Sequence, residues 1–163
     1  MANTYTLIAS STVGSGGAAD IEFTSIPSTY TDLLLVCSTR GSSSQLIVLT
    51  YNSGTAIDWL ELYGNGSGAS SQNGSTFYIR TDANFYTANT FGNAQVYIPN
   101  YNSSNKKSIS VDAVSETNAS DSEVQLAAGL TSTTAAITSL RLRANTGVHD
   151  QYSSAYLYGI SNS

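Results

Sequence analysis

Apolar residues in this chain recur at every second position, and that spacing constrains the fold more than any other feature. Ile21 and Phe23; Leu33, Leu35 and Cys37; Ala94, Val96 and Ile98; Ile109, Val111 and Ala113; Leu140 and Leu142; and Ala155 and Leu157 all follow it. Polar residues such as Glu22, Gln95, Ser110, Asp112, Arg141 and Arg143 stand between them. Successive side chains of a strand point to opposite faces, so a period of two predicts strands with one buried face. Further strands are expected at Tyr5–Ser10, Gln45–Tyr51, Thr76–Thr81 and Glu123–Ala128. The run Leu46-Ile47-Val48-Leu49 is apolar on both faces and reads as a central, fully buried strand. No segment carries a helical stripe.

Clusters of Gly, Asn and Ser separate these runs: Gly14 to Gly17, Gly41 to Ser44, Asn52-Ser53-Gly54, Gly64 to Gly74, Asn100 to Asn105 and Asn145-Thr146-Gly147. These residues tolerate positive φ or bond their own backbone, and so form turns. The expected architecture is all-β, an antiparallel jelly-roll-like β-sandwich of about nine or ten strands. Residues 1–163 are read as one domain, with a long exposed loop around residues 64–75. A chain of this length can bury a core without disulfides or metals.

Charged residues are only 10% of the chain, against about 25% in an ordinary domain. With 6 Lys+Arg and a net charge of −5, the basic footprint that duplex nucleic acid or an anionic membrane requires is missing. The N-terminus, Met1-Ala2-Asn3-Thr4, has no basic or long apolar stretch, so the expectation is synthesis in a cytoplasm without a cleaved signal. The single cysteine, Cys37, lies in an apolar run and reads as a buried thiol.

The reading for catalysis is negative. A hydrolytic triad needs a base, and the one histidine, His149, lies between turn residues and reads as a solvated loop histidine. One Cys and one His exclude a structural zinc built on them. Asp82-Ala83-Asn84 and Asn118-Ala119-Ser120-Asp121 hold oxygen ligands suited to calcium but lack the spacing of a dedicated loop. The acids could serve a glycosidase only if a pair converged, and each reads as a solvated side chain on a sheet face. Catalytic residues, cofactors and metals are therefore expected to be absent. The densest aromatic group, Trp59 and Tyr63 with Phe77, Tyr78, Phe85 and Tyr86, supplies the candidate contacts, either for a glycan or for a subunit interface.

Several segments, namely residues 6–16, Ile21 to Leu35 (IEFTSIPSTYTDLLL), Phe91 to Tyr101 (FGNAQVYIPNY), Lys107 to Glu116 (KSISVDAVSE), Ala135 to Leu142 and Gln151 to Ile160, share a pattern. They resemble a family of short virion structural proteins and C-terminal fibre modules of tailed bacteriophages, especially those of marine bacteria and cyanobacteria. The hydrophobic spacing and the connector Ile26-Pro27-Ser28-Thr29-Tyr30-Thr31-Asp32 carry the resemblance. It implies a virion structural protein, expected as a capsid decoration (cement) protein on the outer surface of the head. Its implied partners are the major capsid protein or other virion proteins, with a homotrimer as the expected assembly. The alternative is a tail-fibre or tail-tip module that binds host glycans through Trp59, Tyr63 and the 64–75 loop.

Overall fold

The computed structural model describes residues 4–116 and 122–161, and it is an all-β sandwich of two antiparallel sheets. The chain crosses repeatedly between them. Strand β1 (Tyr5–Thr12) lies in the large sheet, β2 (Asp20–Phe23) in the small one, β3 (Asp32–Gly41) in the large and β4 (Leu46–Tyr51) in the small. A hairpin of β5 (Ile57–Gly64) and β6 (Ala69–Gly74) returns to the large sheet, and β7 (Phe77–Arg80) edges the small one. The two-residue strand β8 (Asp82–Ala83) pairs in parallel with the end of β3. A meander of β9 (Gly92–Ile98), β10 (Ser108–Glu116) and β11 (Ser122–Thr131) follows. Last come β12 (Leu140–Ala144) in the small sheet and β13 (Ser154–Ile160) in the large.

The large sheet runs β1-β13-β3-β9-β10-β11-β5-β6 and the small one β2-β12-β4-β7. Every strand expected from the alternation is present, and the fold is the expected sandwich with 13 strands among the described residues. The additional strands are β5, β6 and β8. Strand β4 lies between β12 and β7 with Ile47, Val48 and Leu49 buried, as its two-faced apolar run requires.

The core forms where the inward residues of both sheets meet. Leu33, Leu35 and Cys37 of β3, Val96 and Ile98 of β9 and Val111 of β10 face Ile21, Phe23, Leu49, Ile79, Leu140 and Leu142 of the small sheet. Each such side chain contributes about 1.5–3 kcal/mol of burial. Cys37 is buried as expected, and desolvation pushes its thiol up to about 12. The Ile26–Asp32 connector is fixed at both ends, with Ile26 in the core and the Asp32 carboxylate accepting from the Asn100 amide and the Tyr97 hydroxyl, both at 2.8 Å.

Three expectations are corrected. Residues 64–75 are exposed, but they are not a long loop. A short turn leads into β6, whose backbone pairs with β5 from Trp59↔Gly74 to Gly64↔Ala69. His149 is fully buried instead of solvated, because its backbone bridges Ala18 and Gly41 and turns the ring inward. Its Nε2 donates to the Leu142 carbonyl at 3.1 Å, and burial holds its pKa below the ordinary histidine value. Nor are the acids uniformly solvated: Asp32, Glu61 and Asp82 are buried.

Candidate functional site

The β11-β5-β6 end of the large sheet gathers most of the singled-out residues, and its two faces differ in kind. On the inner face of β5, alternation sends Ile57, Trp59 and Glu61 toward the small sheet. Trp59 packs edge-on against Tyr78 at 6.0 Å and tilted against Phe77 at 5.9 Å. Tyr63 lies under the Arg80 guanidinium, 3.9 Å from its ring centre. Phe85 and Tyr86 form a separate edge-to-face pair, 4.7 Å apart, in the segment after β8. Arg40 fastens that segment by donating to the Thr87 and Thr90 carbonyls at 2.9 and 3.1 Å, while it pairs with Asp150 at 3.3 Å. Trp59, Phe77 and Tyr78 are therefore brought together, Tyr63 is engaged by Arg80 instead, and Phe85 and Tyr86 stand apart.

The Trp59 ring is buried against Phe77 and Tyr78, so the aromatic group is packing and not an open stacking platform. Beside it runs a groove of about 400 Å³ lined by Leu46, Gln72, Asn73, Ser75, Thr76 and Tyr78. The Trp59 Nε1 proton is buried beneath the groove without a hydrogen-bond partner.

A buried ion network holds this end of the sandwich. Arg80 of β7 pairs with Glu61 of β5 at 3.0 Å and with Glu123 of β11 at 2.9 Å. Gln125 and Gln72 donate to the Glu61 carboxylate from either side. Burial opposes the charge on Arg80, yet Glu123 and Glu61 hold it above the ordinary arginine range. The Asp82 carboxyl of the calcium-like segment is raised by desolvation, against the pull of Thr90 and Arg40. The second calcium-like segment, Asn118 to Asp121, lies outside the described residues. Among the described residues, no three His, Cys, Asp or Glu side chains gather as a metal-ligand set.

Because Glu61 and Gln125 point inward, their neighbours point outward. Leu60 and Leu62 of β5 and Val124, Leu126 and Leu130 of β11 stand side by side on the outer face, each between 44% and 62% exposed. Together they expose on the order of 500 Å² of aliphatic surface, the size of the largest apolar patch on a typical monomer, which is often functional. At the far edge of the same face a second group, Tyr5, Leu7, Tyr97 and Tyr156, is also exposed. Polar strands separate the two areas, with Gln95, Ser108, Ser110 and Asp112 pointing outward.

The aliphatic stripe escapes a reading of the sequence. Leucine alternating with Glu or Gln reads as leucine inward, and the phase is set by contacts from other strands. One of these is at Gly129, where a Cβ would lie 2.5 Å from Phe77 Cε2 and 2.8 Å from Ile57 Cγ2. Comparison with family models, curated proteins and solved structures finds no match.

Proposed function

We propose that this protein is a bacteriophage virion structural subunit, a decoration protein that lies in many copies on the outside of the head and stabilises it. One observation carries the reading: a single sheet face bears two separate apolar areas, where a free-standing antiparallel sheet presents polar side chains to water. A subunit of a layered shell needs two such surfaces, one for its own kind and one for the particle beneath. The tyrosine-rich area (Tyr5, Leu7, Tyr97, Tyr156) suits the major capsid protein, because tyrosine keeps a hydroxyl wet while its ring is buried. The resemblance to phage structural proteins supports the same reading, and the net charge of −5 suits an exterior position over contact with packaged DNA.

The test is quantitative mass spectrometry of purified particles with protease accessibility of the intact virion. A copy number set by icosahedral symmetry and an accessible chain are expected, and Tyr5→Ser with Tyr156→Ser should lower occupancy. Absence from the particle overturns the reading. A handful of copies at the tail would favour the alternative, a glycan-binding fibre module. That reading draws on the groove beside Trp59, with the amides of Gln72 and Asn73.

A further inference from the structure

We propose that the aliphatic stripe of β5 and β11 binds the same stripe of a second copy of this chain, sheet face to sheet face, about a two-fold axis. This rests on the reading of the protein as a multi-copy subunit and assigns a partner to one of its two apolar areas. The register of the sheet supplies the argument. Val111, Ala127, Glu61 and Gln72 lie in one row across β10, β11, β5 and β6, and that row runs through the middle of the stripe.

A two-fold axis along that row lays β10, β11, β5 and β6 each antiparallel over its own copy, so residues equally far on either side of the row exchange places, while the twist of the sheet turns the β1–β13 end away from the contact. Aligned sheet packing within about 30° keeps these pairs near one another. Leu60 then meets the second copy's Leu62, Leu126 meets Ala128, and Val124 meets Leu130. On β10 the same operation sets Ser110 against Asp112, and it brings the exposed Lys106, two residues before the strand, toward Glu116 at the strand's end. Asp58 falls over Gly64, which has no side chain, and on β6 Ser71 falls over Asn73.

No acid faces an acid in this arrangement, although the chain has 11 acids to 6 bases and would repel its copy over most other surfaces. The register that stacks apolar on apolar is thus also the one that brings Lys106 to Glu116 and keeps Asp58 and Asp112 away from other acids. That is the self-complementarity an isologous contact demands. Two stripes together remove about 1,000 Å² from water, and the polar flanks on β10 and β6 bring the contact into the range of specific interfaces.

Sedimentation velocity and light scattering on the purified chain test this across concentration. The expected species has twice the 17.1 kDa of the monomer. Leu62→Asp with Leu126→Asp should give monomer with unchanged far-UV circular dichroism. Should that variant unfold, the flanking charges decide: Lys106→Glu and Glu116→Lys should each weaken the dimer about two- to five-fold at low salt, and the double swap should restore it. A wild-type chain that stays monomeric at every concentration, a trimer, or a dimer indifferent to both sets of variants overturns the inference. A monomer that still enters virions removes this inference and leaves the proposed function standing. A stripe-dependent dimer missing from the particle does the reverse.

Discussion

Arg80→Met tests the buried network that fixes which way β5 faces. In the folded chain the guanidinium is 7% exposed and the Glu61 carboxylate 1%, with their atoms 3.0 Å apart. Removing the cation leaves a buried carboxylate held only by the amides of Gln72 and Gln125, and breaking a buried pair in this way costs about 3–5 kcal/mol. Glu123 and the Tyr63 ring lose the same partner, which places the expectation toward the upper end of that range. For a chain of this length each kcal/mol lowers Tm by roughly 2–4 °C, so a drop of about 6–20 °C is expected. Thermal unfolding followed by circular dichroism at neutral pH reads it. Adding Glu61→Gln to Arg80→Met should recover part of the loss, with a coupling energy of about 0.5–3 kcal/mol. Replacing Arg80, Glu61 and Glu123 together by apolar residues of similar volume should be near neutral, because no charge is then stranded and Gln125 keeps its bonds to the Arg80 amide and the Tyr78 carbonyl. A loss below about 1 kcal/mol for Arg80→Met, the level of an exposed ion pair, would refute the reasoning.

Two further outcomes follow from groups deep in the sandwich. Burial lowers the His149 pKa in the folded chain, so the unfolded chain binds its proton more readily. Stability should then be fully present above about pH 6.5 and fall as pH drops below it, by up to about 1.4 kcal/mol per pH unit. Unfolding midpoints measured between pH 7.5 and 5 should show this slope in the wild type and lose that component in His149→Gln; an equal slope in both would exclude it. Gly129→Ala places a Cβ against Phe77 and Ile57 and should cost about 1–3 kcal/mol in urea unfolding, whereas a neutral result would mean that β11 does not press on β7.

The sandwich was legible in the sequence wherever one face of a strand is wet and the other dry. Strands β2, β9, β10 and β12 show that alternation cleanly, since Gln95, Ser110 and Asp112 face water opposite Val96, Val111 and Ala113. Strand β5 does not, because Leu60 and Leu62 interrupt the polar phase and leave the run from Ile57 to Tyr63 apolar at all but Asp58 and Glu61. Strand β6 was illegible for a different reason. Its sequence, ASSQNG, has low strand propensity and is exposed at every position, so its conformation comes from the ladder that β5 offers. His149 and Glu61 were misjudged because burial of a polar side chain depends on partners distant in sequence, here Leu142 and Arg80.

The aliphatic stripe has the same non-local origin, and that bears on its meaning. Arg80 comes from β7, Gln125 from β11 and Gln72 from β6, and their convergence on Glu61 helps hold it inward and the adjoining leucines out. Had packing alone been at stake, exchanging the residue types at positions 60 to 62 would put leucine in the core and a carboxylate in water, the cheaper arrangement. The chain instead carries a four-strand polar network beneath the sheet while its leucines stay wet in the isolated protein. A fold that spends buried charge to keep an aliphatic face outward is explained by that face being covered when the protein is in place. On the proposed reading the β5–β11 surface belongs to an interface, and the stability lost in Arg80→Met and the association lost in Leu62→Asp with Leu126→Asp should be separable, one acting beneath the sheet and the other above it.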